Sequence, residues 1–437
     1  MMSAAEPHVS QQGGGGGVPT ASRGMSGVAA AFLFLAVLPD SMVVPVLSEL
    51  FVDRFGVTAA RAHWFMAINV IGGVCVLPLL AVLRRRLSIP VLLSGAAAIN
   101  AVLLAIMAGP VTFAAILTLR FFEGAADLIV FALLFNAINQ AGTSRRRGVR
   151  LGMGGTVLML ALGVGVMLGG QIGAVRPTNV FIVGSGLCVL LAAIATQSGR
   201  WLTPGRSSHS ISRSAMSPRR SAESTDPPNQ AMSERAARRR LWPALMMIFS
   251  DRAVGGLLVV TLPFYFATVW KIDPAMRSWL IGTPLLLMAG GAWPMGWLGD
   301  RIGHLRLRTC SAIVYAGALA MLPWMTGWPL AALFSAMAML GAGGAALLPT
   351  SLTFAGRSGL GSVAMGCHRV SGEIGYLLGL AAAGGMLAVF GGEDPASNVY
   401  HLVIVCFAAV HGVFTAIAWF GQSRCNRDVA SDGQIGR

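Results

Sequence analysis

The sequence predicts an all-α membrane protein whose twelve transmembrane helices form two pseudo-repeated six-helix bundles. Three observations carry this prediction: an apolar composition, twelve long apolar runs, and similarities between the two halves of the chain. Of the 437 residues, 55% are hydrophobic and only 11% are charged, and the mean hydropathy is +0.69. Soluble domains contain about 25% charged residues, so the composition excludes a soluble enzyme.

Twelve apolar runs are each long enough to cross a bilayer. A helix needs roughly 20 apolar residues to span a hydrocarbon core of ~30 Å. We number the runs spans 1 to 12, and they cover residues 24–50, 60–83, 88–108, 112–138, 151–174, 179–198, 243–268, 278–298, 307–326, 329–353, 362–388 and 398–421.

Basic residues are concentrated in the loops on one side of these spans. Of the 32 Lys and Arg, 24 lie in alternate loops and the two tails, five lie in the opposite loops and three lie within spans. The positive-inside rule predicts from this bias that both termini are cytoplasmic. Because the arginines are scattered over separate loops, we expect contact with membrane lipid and no nucleic-acid partner. A single Lys among so many Arg is typical of a GC-rich bacterial genome, which places the protein in the bacterial cytoplasmic (inner) membrane.

Composition divides the chain into a tail, a bundle, a linker, a second bundle and a second tail. The linker is rich in Ser, Arg and Pro, which predicts a disordered segment. Its end, "SERAARRRLW", is compatible with a basic helix on anionic lipid headgroups or with plain topological charge. The five segments are a disordered cytoplasmic tail, 1–23; the N-terminal bundle, 24–198; the cytoplasmic linker, 199–242; the C-terminal bundle, 243–421; and a cytoplasmic tail, 422–437.

Several features of the first half recur in the second half. Asp40 of span 1 and Asp251 of span 7 are 211 positions apart, and each is followed by a Pro within its span. Arg85 and Arg301 are 216 positions apart, and "GVMLGG" recurs as "LAAAGG" at an offset of 215. Similar offsets suggest a duplication. Two repeated six-helix bundles around a central cavity are the architecture of many secondary transporters.

A polar stretch, "GWLGDRIGHLRLR" at residues 296–308, lies between spans 8 and 9. It resembles the loop signature of the major facilitator superfamily. That resemblance implies a cytoplasmic gate, in which the Asp interacts with a helix end of the opposite bundle. The plainer alternative is a tight turn that needs Gly and a topology that needs Arg. The residues that match the signature are Gly296, Asp300, Arg301, Gly303 and Arg306.

The corresponding loop of the first half departs from this signature. In "LAVLRRRLSIP", Arg84 stands where the signature has Asp, and Leu87 stands where it has Gly. An Arg is repelled by the positive end of a helix dipole. We therefore expect that closure of the gate depends on Asp300 alone or is weakened, and a turn with topological arginines is the alternative for the first-half loop.

Other segments resemble the same superfamily. Span 4 carries "LRFFEGAADL", with Arg120 and Gly124 at the places of a membrane-embedded Arg-Gly motif. Span 5 carries "GVGVMLGG", in which Val166 replaces the Pro of the antiporter motif, and span 11 carries "HRVSGEIGYLLGL". The resemblance implies a transporter most like the bacterial drug:proton antiporter branch. It also implies that spans 1, 4, 7 and 10 line the cavity and that spans 2, 5, 8 and 11 lie at the bundle interface.

Span 4 carries three charged residues on one face. Arg120, Glu123 and Asp127 have the spacing i, i+3 and i+7, which places them close together on a helix. One basic group cannot neutralise two acids, so either a second basic group approaches or one carboxyl holds a proton. We expect Glu123 to be the ionised partner of Arg120 and Asp127 to be the proton carrier. An intrahelical pair with a structural role is the alternative.

Charged residues in three more spans are candidates for the same cavity. Ionised side chains at mid-bilayer normally face a cavity or a partner. Asp40 and Asp251 are expected to converge there with Arg120 and Asp127. Arg369 and Glu373 of span 11, at i and i+4, are expected to pair between bundles or within their helix.

The remaining patterns predict packing and exclude several kinds of site. Gly165, Gly169, Gly170 and Gly173 of span 5 give small-xxx-small spacings for close helix contact. The histidines and cysteines lack metal spacing, and HExxH and SxxK motifs are absent, so we expect no metal and no enzyme activity.

The features together predict a secondary active transporter that works as a monomer. The expected function is proton-coupled efflux of a small organic molecule, driven by the proton gradient without a cofactor. The alternatives are a proton-coupled uptake symporter and, from another class, a membrane sensor or scaffold that does not transport.

Overall fold

All twelve predicted spans form helices in the structure, a computed structural model that describes residues 20–140, 147–197, 234–391 and 397–435. Strands are absent from this part of the chain. The α-helices of spans 1 to 6 are Thr20–Met42, Ala59–Arg86, Ile89–Ala108, Phe113–Gln140, Arg147–Val175 and Asn179–Gln197. Spans 7 to 12 comprise Glu234–Gly256 with Leu262–Thr268, Pro274–Ile302, His304–Met321, Leu330–Gly344 with Leu347–Gly356, Gly361–Gly391, and Ser397–Ile435.

Eleven of these spans are long and apolar enough to cross a membrane. Span 8, Pro274–Ile302, is not among the eleven, although it has 29 residues. It contains two internal prolines, and it packs along span 5 for much of its length. Its sequence is also rich in Gly and Trp, which score low in hydropathy.

Three predicted boundaries differ from the helix ends. Span 7 begins at Glu234, inside the predicted linker, because Ala, Arg and Leu favour helix. Ala237 and Leu241 are buried there, so this basic segment packs against the bundle. The first helix begins at Thr20 and the last continues to Ile435, so both enter the predicted tails. The remaining tail and linker predictions lie outside the described residues.

The bundles meet through the spans that the resemblance placed at their interface. Span 5 packs against span 8, and span 2 packs against span 11. Within the N-terminal bundle, span 1 contacts spans 4, 5 and 6; within the C-terminal bundle, span 7 contacts spans 10, 11 and 12. The prediction for spans 2, 5, 8 and 11 is confirmed.

The four glycines of span 5 lie where other helices approach closely. At Gly169, a Cβ atom would lie only 2.0 Å from the Met42 carbonyl oxygen, so spans 1 and 5 meet backbone to backbone. Gly165 and Gly173 face the Ser41 hydroxyl and the Val46 side chain of the same chain segment. Gly170 faces Ser278 of span 8, which brings the opposite bundle into the same contact.

One buried hydrophobic cluster is shared by the two bundles at one end, whereas each bundle has its own cluster toward the other end. One cluster, which includes Phe51, Phe181, Phe264 and Tyr400, contains residues of both bundles near the loops 54–58 and 269–273. We call this end the closed end. Near the opposite end, one buried cluster contains only N-terminal spans and another contains only C-terminal spans. We call that end the arginine end, because it carries Arg84, Arg85 and Arg86.

Spans 1 and 7 leave regular α-helical geometry at corresponding positions. Span 1 continues through the 3-10 turn Val44–Val46 into the π-helical segment Ser48–Asp53, and span 7 contains the π-helical segment Leu257–Thr261. Pro45 and Pro263 lie beside these segments, and an internal Pro removes a helical hydrogen bond and clashes with the preceding turn. The repeat predicted from sequence is therefore visible in the backbone.

Exposed tryptophans lie near both ends of the bundles. Trp64, Trp279 and Trp324 are exposed near the closed end, and Trp297 and Trp419 are exposed near the arginine end. Tryptophan concentrates at the two membrane–water interfaces. These tryptophans lie at the two levels where membrane–water interfaces are expected.

Candidate transport site

Arg120 is at the centre of a buried ion-pair cluster in the N-terminal bundle. Its side chain is fully buried, and its guanidinium donates hydrogen bonds to both Asp40 of span 1 and Glu123 of its own helix. The same guanidinium lies 4.4 Å from the centroid of the Phe65 ring of span 2. Spans 1, 2 and 4 therefore hold the cation in one position, and the expected Arg120–Glu123 pair is present together with an interhelical pair.

Asp127 belongs to the same cluster but has no guanidinium partner among the described residues. Asn100 of span 3 donates a hydrogen bond to Asp127 Oδ1, while Asp127 Oδ2 is buried without a partner. Asn69 of span 2 donates to Glu123 Oε2 at 3.2 Å. Two asparagines from neighbouring spans thus donate hydrogen bonds to carboxyl groups of the cluster, in addition to those from the Arg120 guanidinium.

The cluster contains three carboxyl groups and one cation. One oxygen atom from each of Asp40, Glu123 and Asp127 lies within 4.8 Å of the others. A second uncompensated negative charge is disfavoured in a buried site with carboxylates so close together. Carboxylate oxygens at this spacing also suit a metal ion, but the Arg120 guanidinium already occupies two of the three groups, which leaves little charge to bind one.

Asp251 lies in a separate cluster and does not converge with Asp40 and Asp127 as predicted. Arg308 binds it in a bidentate manner, with Nη1–Oδ2 and Nη2–Oδ1 distances of 2.7 and 2.6 Å. His411 of span 12 lies 3.0 Å from the same carboxylate. Spans 7, 9 and 12 enclose this cluster inside the C-terminal bundle, because the span 9 helix begins at His304 and carries Arg308 inward.

Arg369 and Glu373 form the expected intrahelical pair and also face other elements. Their Nη2–Oε1 distance is 3.2 Å, and Arg252 of span 7 lies 3.9 Å from Glu373. The Arg369 guanidinium lies 4.2 Å from the ring centroid of Phe131 in span 4. Span 11 therefore contacts the opposite bundle through a cation–π interaction, whereas the ion pairs stay within the C-terminal bundle.

Tyr376 lies between the charged groups of the two bundles. The Arg252 guanidinium is 5.0 Å from the centroid of its ring. Tyr376 also interacts electrostatically with Asp40, Arg120 and Glu373. About a third of the side-chain area of Asp40, Arg252 and Glu373 is exposed, at 32%, 32% and 35%. Charged side chains of both bundles thus lie near Tyr376, with excess carboxylate in the N-terminal bundle and excess guanidinium in the C-terminal bundle, and we call the region between them the common space.

The predicted gate loop is an exposed turn in this structure. Among the described residues, Asp300 pairs with His304 at 3.2 Å, and 76% of the Asp300 side chain is exposed. The Arg301 guanidinium lies 3.8 Å from the centroid of the Trp297 ring, and Arg306 is exposed. Gly303 has a φ of +92°, which explains why the turn needs glycine. Gly296 is open to its surroundings, and the described contacts of Asp300 and Arg301 lie within their own bundle.

Sequence reasoning missed four polar residues that the structure places in functional positions. Arg277, which immediately precedes span 8, is 2% exposed and bridges the two bundles through Glu49. Arg308 lies at the start of span 9, and Asn100 and His411 lie within spans 3 and 12; these three side chains are also buried. A polar side chain within or just before an apolar span was the available signal for each.

The sequence model of the Major Facilitator Superfamily matches residues 29–265, which is more than half of the chain. The chain belongs to the major facilitator superfamily. Its family and fold are therefore those of multi-pass membrane transporters.

Relatives within the superfamily carry transporter names. An uncharacterized MFS-type transporter from Enterobacter sp. (strain 638) is 26% identical over 256 residues, or 55% of this chain and 56% of that protein. The MFS-type transporter YcaD of Salmonella dublin is 28% identical over 260 residues, or 57% and 58%. The chain thus matches less than two thirds of the length of these relatives.

Solved structures of the superfamily share the whole fold. A bacterial homolog of the human lysosomal transporter Spinster, inward-facing and unoccupied, matches with a TM-score of 0.69 and 12% identity, over 94% of this chain and 99% of that chain. The inward-facing and occupied form matches with a TM-score of 0.67 and 14% identity, over 92% and 96%. At this identity the match concerns the fold.

Proposed function

We propose that this transporter is a proton-coupled secondary transporter that exports a small organic cation or zwitterion by alternating access. The observation that carries the proposal is the Arg120 cluster, in which one guanidinium faces three carboxyl groups. Arg120 pairs with Asp40 and Glu123, which leaves Asp127 as the carboxyl that holds a proton. The alternative, a structural ion pair, does not require a third carboxyl group in the cluster.

Coupling follows from competition for the excess negative charge. Among the three carboxyl groups, Asp40 and Asp127 are partly exposed and Glu123 is buried, and Asp40 lies on the common space, so a cationic substrate group binds there. A new positive charge beside the cluster favours ionisation of Asp127, and the proton leaves. Departure of the substrate restores the excess negative charge, and Asp127 takes up a proton again. Because binding free energies are linked, each ligand weakens the binding of the other, which is the requirement for antiport.

The direction of transport rests on topology and resemblance. With the arginine end in the cytoplasm, as the positive-inside rule predicts, the structure is closed toward the outside. The acidic cluster then faces the cytoplasm, from which an exporter loads its substrate. Cells that produce the protein should accumulate less of a cationic substrate than cells without it, whereas an uptake symporter raises accumulation.

The coupling is tested with purified protein in liposomes that contain a pH-sensitive dye. A panel of amphipathic organic cations is added to wild type, Asp127→Asn and the matched control Asp53→Asn, whose carboxyl is exposed and outside the cluster. We expect substrate-driven proton movement in wild type and in the control, and none in Asp127→Asn. Proton movement that survives in Asp127→Asn, or is absent from wild type with every cation, contradicts the proposal.

A further inference from the structure

Arg277 joins the two bundles at the closed end. Its Nη1 donates hydrogen bonds to the Pro45 carbonyl at 2.7 Å and to Glu49 Oε2 at 3.1 Å. Its Nη2 donates to Glu49 Oε1 at 2.9 Å and to the Ile272 carbonyl at 2.8 Å. The side chain is only 2% exposed, and Glu49 is 20% exposed. A fork of donors therefore holds the end of span 1 against the beginning of span 8.

The irregular end of span 1 supplies both acceptors. Glu49 lies in the π-helical segment Ser48–Asp53, and Pro45 lies in the preceding 3-10 turn. Non-α turns leave carbonyl groups without their usual helical partners, and π-helical turns inside helices are frequent at functional sites. The change in helix geometry thus presents a free carbonyl and a carboxylate to the same guanidinium.

A second polar contact joins the bundles on the other side of the closed end. His63 of span 2 is 3% exposed, and its Nε2 lies 3.0 Å from Thr261 Oγ1 of span 7. His63 Nδ1 lies 2.8 Å from the Ala59 carbonyl, which can only accept. In the neutral ring, Nδ1 therefore donates to Ala59, and Nε2 accepts from the Thr261 hydroxyl.

The two contacts are related by the internal repeat. Glu49 and Thr261 both lie in π-helical segments, and they are 212 positions apart. Their partners His63 and Arg277 lie in the first turns of spans 2 and 8, and they are 214 positions apart. These offsets fall within the range of the offsets of the sequence repeat, 211 to 216. The contacts are thus equivalent positions of the two halves, with an ion pair in one and a neutral hydrogen bond in the other.

We propose that Glu49–Arg277 and His63–Thr261 form a paired latch that keeps the closed end shut and must open in each transport cycle. The latch rests on the alternating access of the proposed function. The shared hydrophobic core at this end and the separate cores at the arginine end agree with it. At the arginine end, Asp300 pairs within its own bundle. The described ion pair between the bundles, Glu49–Arg277, therefore stabilises the state that is shut at the closed end.

The charged contact dominates the latch. When the closed end opens, Glu49 and Arg277 gain water, so the ion pair is exchanged for hydration. Removal of one partner eliminates the bidentate interaction in the closed state and leaves the other group buried there. Glu49→Gln and Arg277→Met should each raise the ratio of open to closed molecules at this end at least about tenfold. Thr261→Val should raise it less, because the hydrogen bond to His63 is neutral.

The test is a distance measurement between spin labels on the full chain in lipid nanodiscs, with the six native cysteines replaced. Labels at Arg176→Cys and Trp328→Cys, both exposed in loops at the closed end, report on that end. Labels at Arg86→Cys and Arg306→Cys, both exposed, report on the arginine end. We expect Glu49→Gln to add a longer distance at the closed end and a shorter distance at the arginine end.

Arg54→Gln is the matched control. Arg54 lies at the same end, but it donates to the carbonyl groups of Met107 and Gly109 within the N-terminal bundle. The control should give the wild-type distances. Distances in Glu49→Gln and Arg277→Met that equal those of the control overturn the latch, and so does broadening at both ends, which indicates loss of structure. The measurement needs neither substrate nor a proton gradient, so a failure of proton coupling is seen separately in liposomes.

Discussion

Removal of Arg308 should destabilise the C-terminal bundle by a large amount. Arg308 is 1% exposed and makes two short charged hydrogen bonds to Asp251, and Nη1 also donates to the Leu347 carbonyl at 2.9 Å. In Arg308→Met, the Asp251 carboxylate stays buried with His411 as its remaining partner. Breaking a buried pair in this way costs about 3–5 kcal/mol. We therefore expect a loss of about that size in the free energy of unfolding.

The double variant separates the ion pair from simple packing. In Asp251→Asn with Arg308→Met, both charges are absent, so the loss should fall to about 1–2 kcal/mol. The free energy of unfolding is measured by titration with a denaturing detergent in micelles, and the ten tryptophans supply the fluorescence signal. Arg301→Met, an exposed Arg of the same stretch, is the matched control and should change it by less than about 0.5 kcal/mol.

Two outcomes refute this reasoning. A loss in the double variant as large as in Arg308→Met shows that the unpaired Asp251 charge is not the cause. A loss in Arg308→Met as small as that of the control shows that the pair contributes no stability. Because Asp251 lies outside the Arg120 cluster, we also expect the double variant to keep substrate-driven proton movement.

Two glycine substitutions test close packing and backbone conformation. Gly169→Ala should destabilise the N-terminal bundle by about 1–3 kcal/mol, because its Cβ would collide with the Met42 carbonyl. The control is Gly186→Ala, whose Cβ meets open space. Equal free energies of unfolding for the two variants contradict the close packing at Gly169. Gly303→Ala should cost about 1–3 kcal/mol, because its φ is +92°. The control for Gly303→Ala is Gly296→Ala, whose Cβ meets no neighbour. If Gly303→Ala lowers the free energy of unfolding as little as this control does, the left-handed turn at Gly303 is contradicted.

The sequence was sufficient for the spans and for the span 4 cluster. Twelve spans follow from hydropathy, because a segment without water must satisfy its backbone hydrogen bonds as a helix. Arg120, Glu123 and Asp127 are three and four residues apart, so helical periodicity alone places them together. Asp40 joins them as expected, since span 1 packs against span 4.

The pairings between distant spans could not be obtained in this way. Asp251 and Arg308 are 57 residues apart, and their contact depends on how spans 7 and 9 rotate against each other. Arg277 and Glu49 are 228 residues apart and meet only because span 1 changes to π-helical geometry. Hydropathy places both arginines at the edge of a span and does not show that each lies in the first turns of a helix that carries it into the protein.

The most direct test of the central proposal is infrared difference spectroscopy of the purified transporter for the carbonyl stretch of a protonated carboxylic acid. At neutral pH, the wild type should show one such band from the buried cluster, and a bound organic cation should remove it as the proton leaves. The band should be absent from Asp127→Asn and present in Glu123→Gln. A band that persists in Asp127→Asn and disappears in Glu123→Gln assigns the proton to Glu123 and contradicts the role of Asp127. A wild-type spectrum without the band contradicts a stored proton in the cluster.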